Sequence, residues 1–470
     1  MERNDLILNS NGLEINVEEN LDPFLIKKLA IAYGTWLKNK DDRVILGRDT
    51  RPSGQYIEKL IIDGLIASGI KVFNVGICPT PVLVYAKNKL KIAGGIIIAD
   101  ADKPSNWNRI TLLSKKLYLN KYELSEISAI SNNINSNSYY PSNPNFSEMT
   151  KAIEPIPNYI HDIYNFLPFD KIKKTNNLRM IIDPGGGAAK LVAPKIVDGL
   201  GCDVLEINKD LDKNENFPRN SIFDKENLGD LILALWKGNY DVGFAFNFDA
   251  SSLSIIGNDF ELYSDEIGFA LIIDHYLKNT NSEQEFIGHV NLSTSLRLEA
   301  LAEKYSIKLH KSYQDHFMQQ EREEEKDGNK VILFSCEGLY GGPIFPQFNM
   351  IKDPFFIASK LIEIMVDTKE PIATLFSNLP KYYTHHEKID LKDKNMEKII
   401  NGVKKELIEE GEYVSQFGMS LRFGHDKDWY VLITPSDNSL HVKSEAKRNS
   451  LSRLYCETAI KLIKLVLSNL

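Results

Sequence analysis

Short apolar runs recur along this chain, and each gives way to a polar loop. Ile96-Ile97-Ile98-Ala99 follows a glycine pair and ends in Asp100-Ala101-Asp102-Lys103-Pro104. That is the pattern of a buried strand delivering side chains at its tip. Val44-Ile45-Leu46-Gly47, leading into Arg48-Asp49-Thr50-Arg51, has the same design. Between them, helical periodicity over 55–68, closed by Gly69, predicts an amphipathic helix, and 71–76 predicts another strand. Strand, helix and strand in succession predict a mainly parallel α/β sheet.

A second such unit opens with a strand ending in Asp183-Pro184-Gly185-Gly186-Gly187; a helix is expected over 188–199 and a strand over 203–207. A third begins near Asp265, with strands expected at 285–292 and 331–335. From Ile372 onward the pattern predicts a helix over 395–410, two strands and a final helix. The Asn-, Ser- and Pro-rich stretch 131–144 predicts a surface connection. The expected fold class is therefore α/β: three similar units and a distinct C-terminal α+β unit, bounded at 1–148, 149–262, 263–371 and 372–470.

Charge narrows the partners. With 56 basic and 64 acidic residues the net charge is −8, which gives no general attraction for nucleic acid or an anionic membrane. A phosphate ligand would need local cations. Cys78, Cys202, Cys336 and Cys456 lie far apart, which predicts buried thiols and neither a zinc site nor a disulfide framework. The first residues lack the apolar run of a signal peptide, and no apolar run reaches the ~20 residues that span a bilayer. A cytoplasmic protein is expected, with oligomeric state left open.

These loops resemble those of the α-D-phosphohexomutases, the phosphoglucomutase and phosphomannomutase superfamily, over nearly the whole chain. The resemblance implies four domains around a central cleft. It also implies a phosphoserine in the first domain, a Mg²⁺ loop in the second, a sugar-reading loop in the third and a phosphate loop in the fourth. Phosphoryl transfer depends on positioning and charge, so lost charges are diagnostic.

The losses are extensive. The family's nucleophile segment reads GGI-x-I-T-A-S-H-N-P, and here Ala101 stands at the serine, Asp102 at the histidine and Lys103 at the asparagine. Ser105 is off register, and Thr111 stands at a catalytic lysine. In the metal loop, GIAFDGDADR in the family, only Asp249 is a carboxylate; Asn247 and Ser251 take the other two ligand positions and Ser252 the arginine. Mg²⁺ prefers charged oxygen ligands, so this set predicts no resident cofactor, with Mg²⁺ required only if activity is retained.

In the sugar loop Glu337 matches the family glutamate, while Leu339 and Tyr340 replace a small polar residue and a glycine; His316 replaces a lysine. In the phosphate loop Pro435-Ser436 persists, but Thr434 replaces arginine and Asp437 replaces glycine, a carboxylate that repels a dianion. Glu14 replaces another arginine. The residual substrate positions are then Glu337, Tyr340, Ser436 and Asn438. Arg48 and Arg51 survive, either for phosphate or as braces of a domain interface through carboxylates.

The reading that follows is a phosphohexomutase homologue without mutase activity, retained for ligand binding, regulation or protein interaction in carbohydrate metabolism, its partner a phosphosugar or a protein. The alternative is an active mutase or phosphotransferase using Asp100 or Asp102, since a strand followed by D-x-D is also how aspartyl-phosphate enzymes place a nucleophile and an acid/base. Gly185-Gly186-Gly187 predicts a tight turn rather than a nucleotide loop, because Lys190 occupies the third glycine position of G-x-G-x-x-G. His385-His386 and the mainly acidic run 321–325 are expected to be solvated surface.

Overall fold

The two loop-bearing runs lie side by side. In a computed structural model, β2 (Arg43–Arg48) and β4 (Gly94–Ala99) are adjacent parallel strands. Residues 12–101, 106–134, 146–280, 285–311, 330–337, 342–391, 395–425, 427–436 and 439–469 are described. The chain falls into two compact units, 1–268 with 347–374, and 269–346 with 375–470.

The first unit holds two sheets. Its seven-stranded sheet also contains β1 (Leu13–Asn16), β3 (Lys71–Ile77), β5 (Trp107–Ser114), β6 (Leu117–Tyr118) and β7 (Thr150–Ala152), in the order β1-β5-β4-β2-β3-β7 with β6 beside β5. The strands β4-β2-β3-β7 are mutually parallel, and β5 runs antiparallel to both β4 and β1.

Helices α1 (Pro23–Leu37) and α2 (Gly54–Ala67) bury Ile26, Leu29, Ile57 and Leu65 against Leu46, Ile96 and Ile98. Burial of each such side chain contributes roughly 1.5–3 kcal/mol. Asp22 caps α1, accepting the Phe24 N–H at 2.9 Å, and Pro23 occupies the first turn, where its missing N–H costs nothing.

The second sheet has the order β12-β11-β10-β8-β9, built from β8 (Arg179–Asp183), β9 (Asp203–Glu206), β10 (Val242–Phe246), β11 (Leu253–Ile256) and β12 (Leu262–Ser264). The helix expected over 188–199 is divided into a 3₁₀ turn, Ala188–Leu191, and a helix, Ala193–Gly199. Pro194 explains the division: it has no N–H to bond back to Lys190, so it starts a helix instead of continuing one.

In the second unit, β13 (Glu285–Val290), β14 (Lys308–Lys311), β15 (Lys330–Glu337) and β16 (Gly342–Ile344) form a sheet ordered β14-β13-β15-β16. The C-terminal sheet corrects the two-strand expectation. It has five strands, β17 (Tyr383–Asp390), β18 (Val414–Phe417), β19 (Ser420–His425), β20 (Trp429–Ser436) and β21 (Ser439–Ala446), ordered β17-β21-β20-β19-β18. β17 was hidden because an edge strand with one exposed face needs few apolar residues, and Tyr-Thr-His-His-Glu-Lys-Ile-Asp has few. Helices Met396–Glu409 and Asn449–Ser468 cover one face, burying Ile399, Val403 and Ile463 against Val431, Ile433 and Val442. Among the described residues no helix is long and apolar enough to cross a membrane.

Candidate functional site

The tips of β2, β4 and β10 come together in the first unit around one arginine. Arg51 is fully buried. Its Nη2 donates to Asp100 Oδ1 at 2.7 Å, and its Nη1 pairs with Asp49 Oδ2. The guanidinium carbon lies 5.5 Å from the ring centres of both Phe217 and Phe248, which stack on each other at 3.9 Å. Such a charge is tolerable inside a protein only because carboxylates and ring faces surround it. One guanidinium faces more negative charge than it can balance. Burial pushes the Asp49 carboxyl up to about 6 against the pull of Arg51, with Asp249 and Asp100 adding to the rise.

Arg48 takes a separate role. Its Nε pairs with Glu58 of α2 at 3.0 Å, and its Nη1 donates to the Asp49 carbonyl, so it braces the loop against its own helix. Ala101 sits behind this network with 2 % of its surface exposed, and its carbonyl accepts from Arg109 Nη2 at 2.9 Å. Arg109 also pairs with Glu14 at 3.2 Å, the two being direct cross-strand partners on β5 and β1. Glu14, one of the lost cation positions, thus pairs with an arginine. Thr111 lies farther along β5, opposite Ile97 of β4. Asp102 and Ser105 lie outside the described residues.

The metal-loop positions are bonded to one another. Asp249 Oδ1 accepts from Asn247 Nδ2 at 2.9 Å, from Ser251 Oγ at 2.7 Å and from the Ser251 N–H at 3.1 Å. Its Oδ2 accepts from Thr80 Oγ1 at 2.7 Å, and its carbonyl accepts the Thr80 N–H at 2.9 Å. Asn247 Oδ1 accepts the Ser252 N–H at 2.8 Å. Among the described residues no group of three His, Cys, Asp or Glu side chains is placed to hold a metal ion.

The glycine run supports this loop. Gly185 and Gly186 have φ of +57° and +76°, the left-handed conformation a tight turn requires. A side chain at Gly187 would meet the Phe248 backbone at 2.5–2.8 Å. Thr50 Oγ1 donates to the Gly186 carbonyl at 2.8 Å, tying the first-sheet loop to the second.

Three contributors escaped the sequence reading. Thr80 opens α3 (Thr80–Lys89), distant in sequence from the loop it holds. Phe217 lies in a stretch with no regular pattern. Lys352 reaches Ser252 Oγ at 2.9 Å and Asp265 at 3.0 Å, placing an ammonium beside the position where the family arginine is missing. Only the Pro79-Thr80-Pro81 punctuation could have drawn attention to it. Beside the network is a pocket of about 230 Å³, lined among the described residues in part by Glu18, Ser53, Asn106, Glu215 and Phe217.

In the second unit, Glu337 ends β15 and Ser436 ends β20, on different sheets. Tyr340, Asn438, His316, Leu339 and Asp437 lie outside the described residues, as does the acidic run 321–325. Thr434 is registered opposite His441 of β21. His386 finds a partner the dipeptide did not suggest: it contacts His441 rather than its neighbour His385.

Comparison with known proteins agrees with this layout. The profile described as phosphoglucomutase/phosphomannomutase, alpha/beta/alpha domain I matches residues 6–138, and the domain II profile matches residues 157–259. Together they account for just over half of the chain. A phosphoglucomutase/phosphomannomutase of Thermococcus kodakarensis is 28% identical over 467 residues, covering 96% of this chain and 97% of the relative. A probable phosphoglucosamine mutase of Pyrococcus abyssi is 27% identical over 471 residues, covering 97% of each. Among solved structures, a phosphoglucomutase/phosphomannomutase family protein from Burkholderia thailandensis has the same fold, with a TM-score of 0.75, 18% identity, and coverage of 97% of this chain and 96% of that one.

Proposed function

Because this chain belongs to the phosphoglucomutase/phosphomannomutase family, we propose that it is a member without mutase activity, retained for ligand binding, regulation or protein interaction in carbohydrate metabolism. One observation carries this reading. The segment that should bear the phosphoryl group places the buried methyl of Ala101 there, and the adjacent Asp100, together with Asp49, is held by Arg51. A methyl group cannot take a phosphoryl group. Asp100, the described residue of the aspartyl alternative, commits Oδ1 to an ion pair within a fully buried network, which opposes its use as a nucleophile.

The charge around the site supports the same reading. Mg²⁺ does not fit the donor set: one carboxylate, both of whose oxygens already accept hydrogen bonds, beside a neutral amide and a hydroxyl. Among the described residues the adjacent pocket is lined by two carboxylates, Glu18 and Glu215, which disfavour a phosphate dianion.

The test is a coupled mutase assay on glucose 1-phosphate, mannose 1-phosphate and glucosamine 1-phosphate, with Mg²⁺ and a bisphosphate activator. The expected result is no turnover above the uncatalysed background. Turnover at ordinary enzyme rates of ~1–10³ s⁻¹ on any of the three would overturn the proposal.

A further inference from the structure

The C-terminal sheet carries a pair of histidines outside the loops of the first-unit site. His386 lies on the edge strand β17 and His441 on its neighbour β21. The antiparallel register sets His386 opposite Lys443, and Lys388 opposite His441, so the two histidines are diagonal neighbours on one face. Their rings lie nearly parallel, 16° apart with centres at 5.2 Å, and His386 Nε2 is 3.1 Å from His441 Nδ1. His386 is exposed and His441 half-buried, so solvent reaches the pair.

From this geometry we propose that His386 and His441 form a bidentate site for a borderline divalent transition ion, with Zn²⁺, Cu²⁺ and Ni²⁺ as the chemical class. A tetrahedral ion with Zn–N bonds of ~2.05 Å holds two ligand nitrogens about 3.3 Å apart. The nitrogens are already within a few tenths of an ångström of that separation, and two paired strands hold them there. To exchange the N–H···N contact for two N–metal bonds, the proton between the rings moves to the far nitrogen of its own imidazole and both lone pairs turn toward the ion. Neutral imidazole favours these ions over Mg²⁺ or Ca²⁺, which demand oxygen. With His386 protonated on Nδ1 and His441 on Nε2, the ion binds without net proton release, and water completes its coordination.

The charges on the same face set the strength. Lys388 and Lys443 oppose a cation, but Lys388 pairs with Asp390 at 3.4 Å and Lys443 donates to the Ser293 carbonyl at 2.8 Å. Burial and then Lys388 hold the His441 pKa below the usual imidazole value, and Asp390 opposes them. His385 and Glu387 alternate to the other face of the strand, and His385 pairs there with Glu387 at 3.3 Å. The sequence neighbour His385 is therefore outside the site.

The experiment uses tag-free full-length protein. Zn²⁺ is titrated calorimetrically, and one equivalent of Cu²⁺ is examined by electron paramagnetic resonance. We expect one saturable Zn²⁺ site and a Cu²⁺ spectrum with nitrogen hyperfine structure from two imidazoles. H386A and H441A should each weaken binding at least tenfold and lose the two-nitrogen pattern, while H385A should bind as the wild type does. Circular dichroism and melting temperature establish that each variant is folded. No saturable site in the wild type, unchanged binding in folded H386A, or equal loss in H385A would overturn the proposal. None of these outcomes depends on whether the protein is a mutase.

Discussion

Arg51 is the residue on which the local structure of the candidate site rests. It is the positive partner of both Asp49 and Asp100, and all three are buried. Removing one partner of a buried pair leaves an uncompensated charge, so Arg51→Ala should lower unfolding free energy by ~3–5 kcal/mol, read from denaturant midpoints. Asp49 gives the pH dependence. Its folded pKa of about 6 lies above the ~3.9 of an unfolded aspartate. The folded state therefore binds more protons between these values, and this group's stabilisation is greatest below pH ~4 and is lost as pH rises through 6. In denaturation at pH 4.5 and pH 7, the wild type should lose stability relative to Asp49→Asn across that interval. A constant difference between the two proteins would contradict the assignment. The sequence displayed Arg48-Asp49-Thr50-Arg51 plainly, but the partner Asp100 is a tertiary fact. Periodicity places residues on elements and says little about which distant loop tip they meet.

Among the elements, the strand-to-helix turn after β8 was legible in sequence, and its reason is steric. Three glycines in succession point to a turn, and the structure uses two for positive φ and the third for close approach. Gly187→Ala would drive a methyl into the Phe248 backbone, which carries one face of the Arg51 site. The expected cost is ~1–3 kcal/mol with a lowered melting temperature, because backbone on both sides cannot yield as a flexible side chain can. An unchanged melting temperature would mean that the turn is looser than described. Other elements were less legible. The broken helix at 188–199 was signalled by Pro194, yet the amphipathic pattern on either side conceals the break. The edge strand β17 escaped because polar residues on both faces give no alternation, and the meeting of His386 with His441 depends on its register. His385-His386 was expected to be solvated surface, and because a strand sends adjacent side chains to opposite faces, His386 meets His441 and not His385.

At the scale of the whole molecule, the α/β loops at strand tips are proposed to keep their frame while their chemistry changes. The apolar strands β2, β4, β8 and β10 and the glycine turn persist because the cores need them. The charged tips have no such constraint. Carboxylates and hydroxyls that would face a metal or phosphate are instead hydrogen-bonded to each other, to Thr80 and to Arg51. Family and fold were therefore legible from spacing and framework residues over nearly the full length. The state of the site required the structure, because hydrogen-bond partners distant in sequence decide whether a surviving carboxylate is available. The central claim concerns covalent chemistry, and one measurement addresses it without assuming a substrate preference. The protein is incubated with glucose 1,6-bisphosphate labelled with ³²P at both phosphates, with Mg²⁺, and then separated under denaturing conditions. The account predicts no label on the protein chain. A stable label approaching one phosphate per chain would contradict it, and mapping that label to Asp100 or Asp102 would establish the aspartyl alternative in its place.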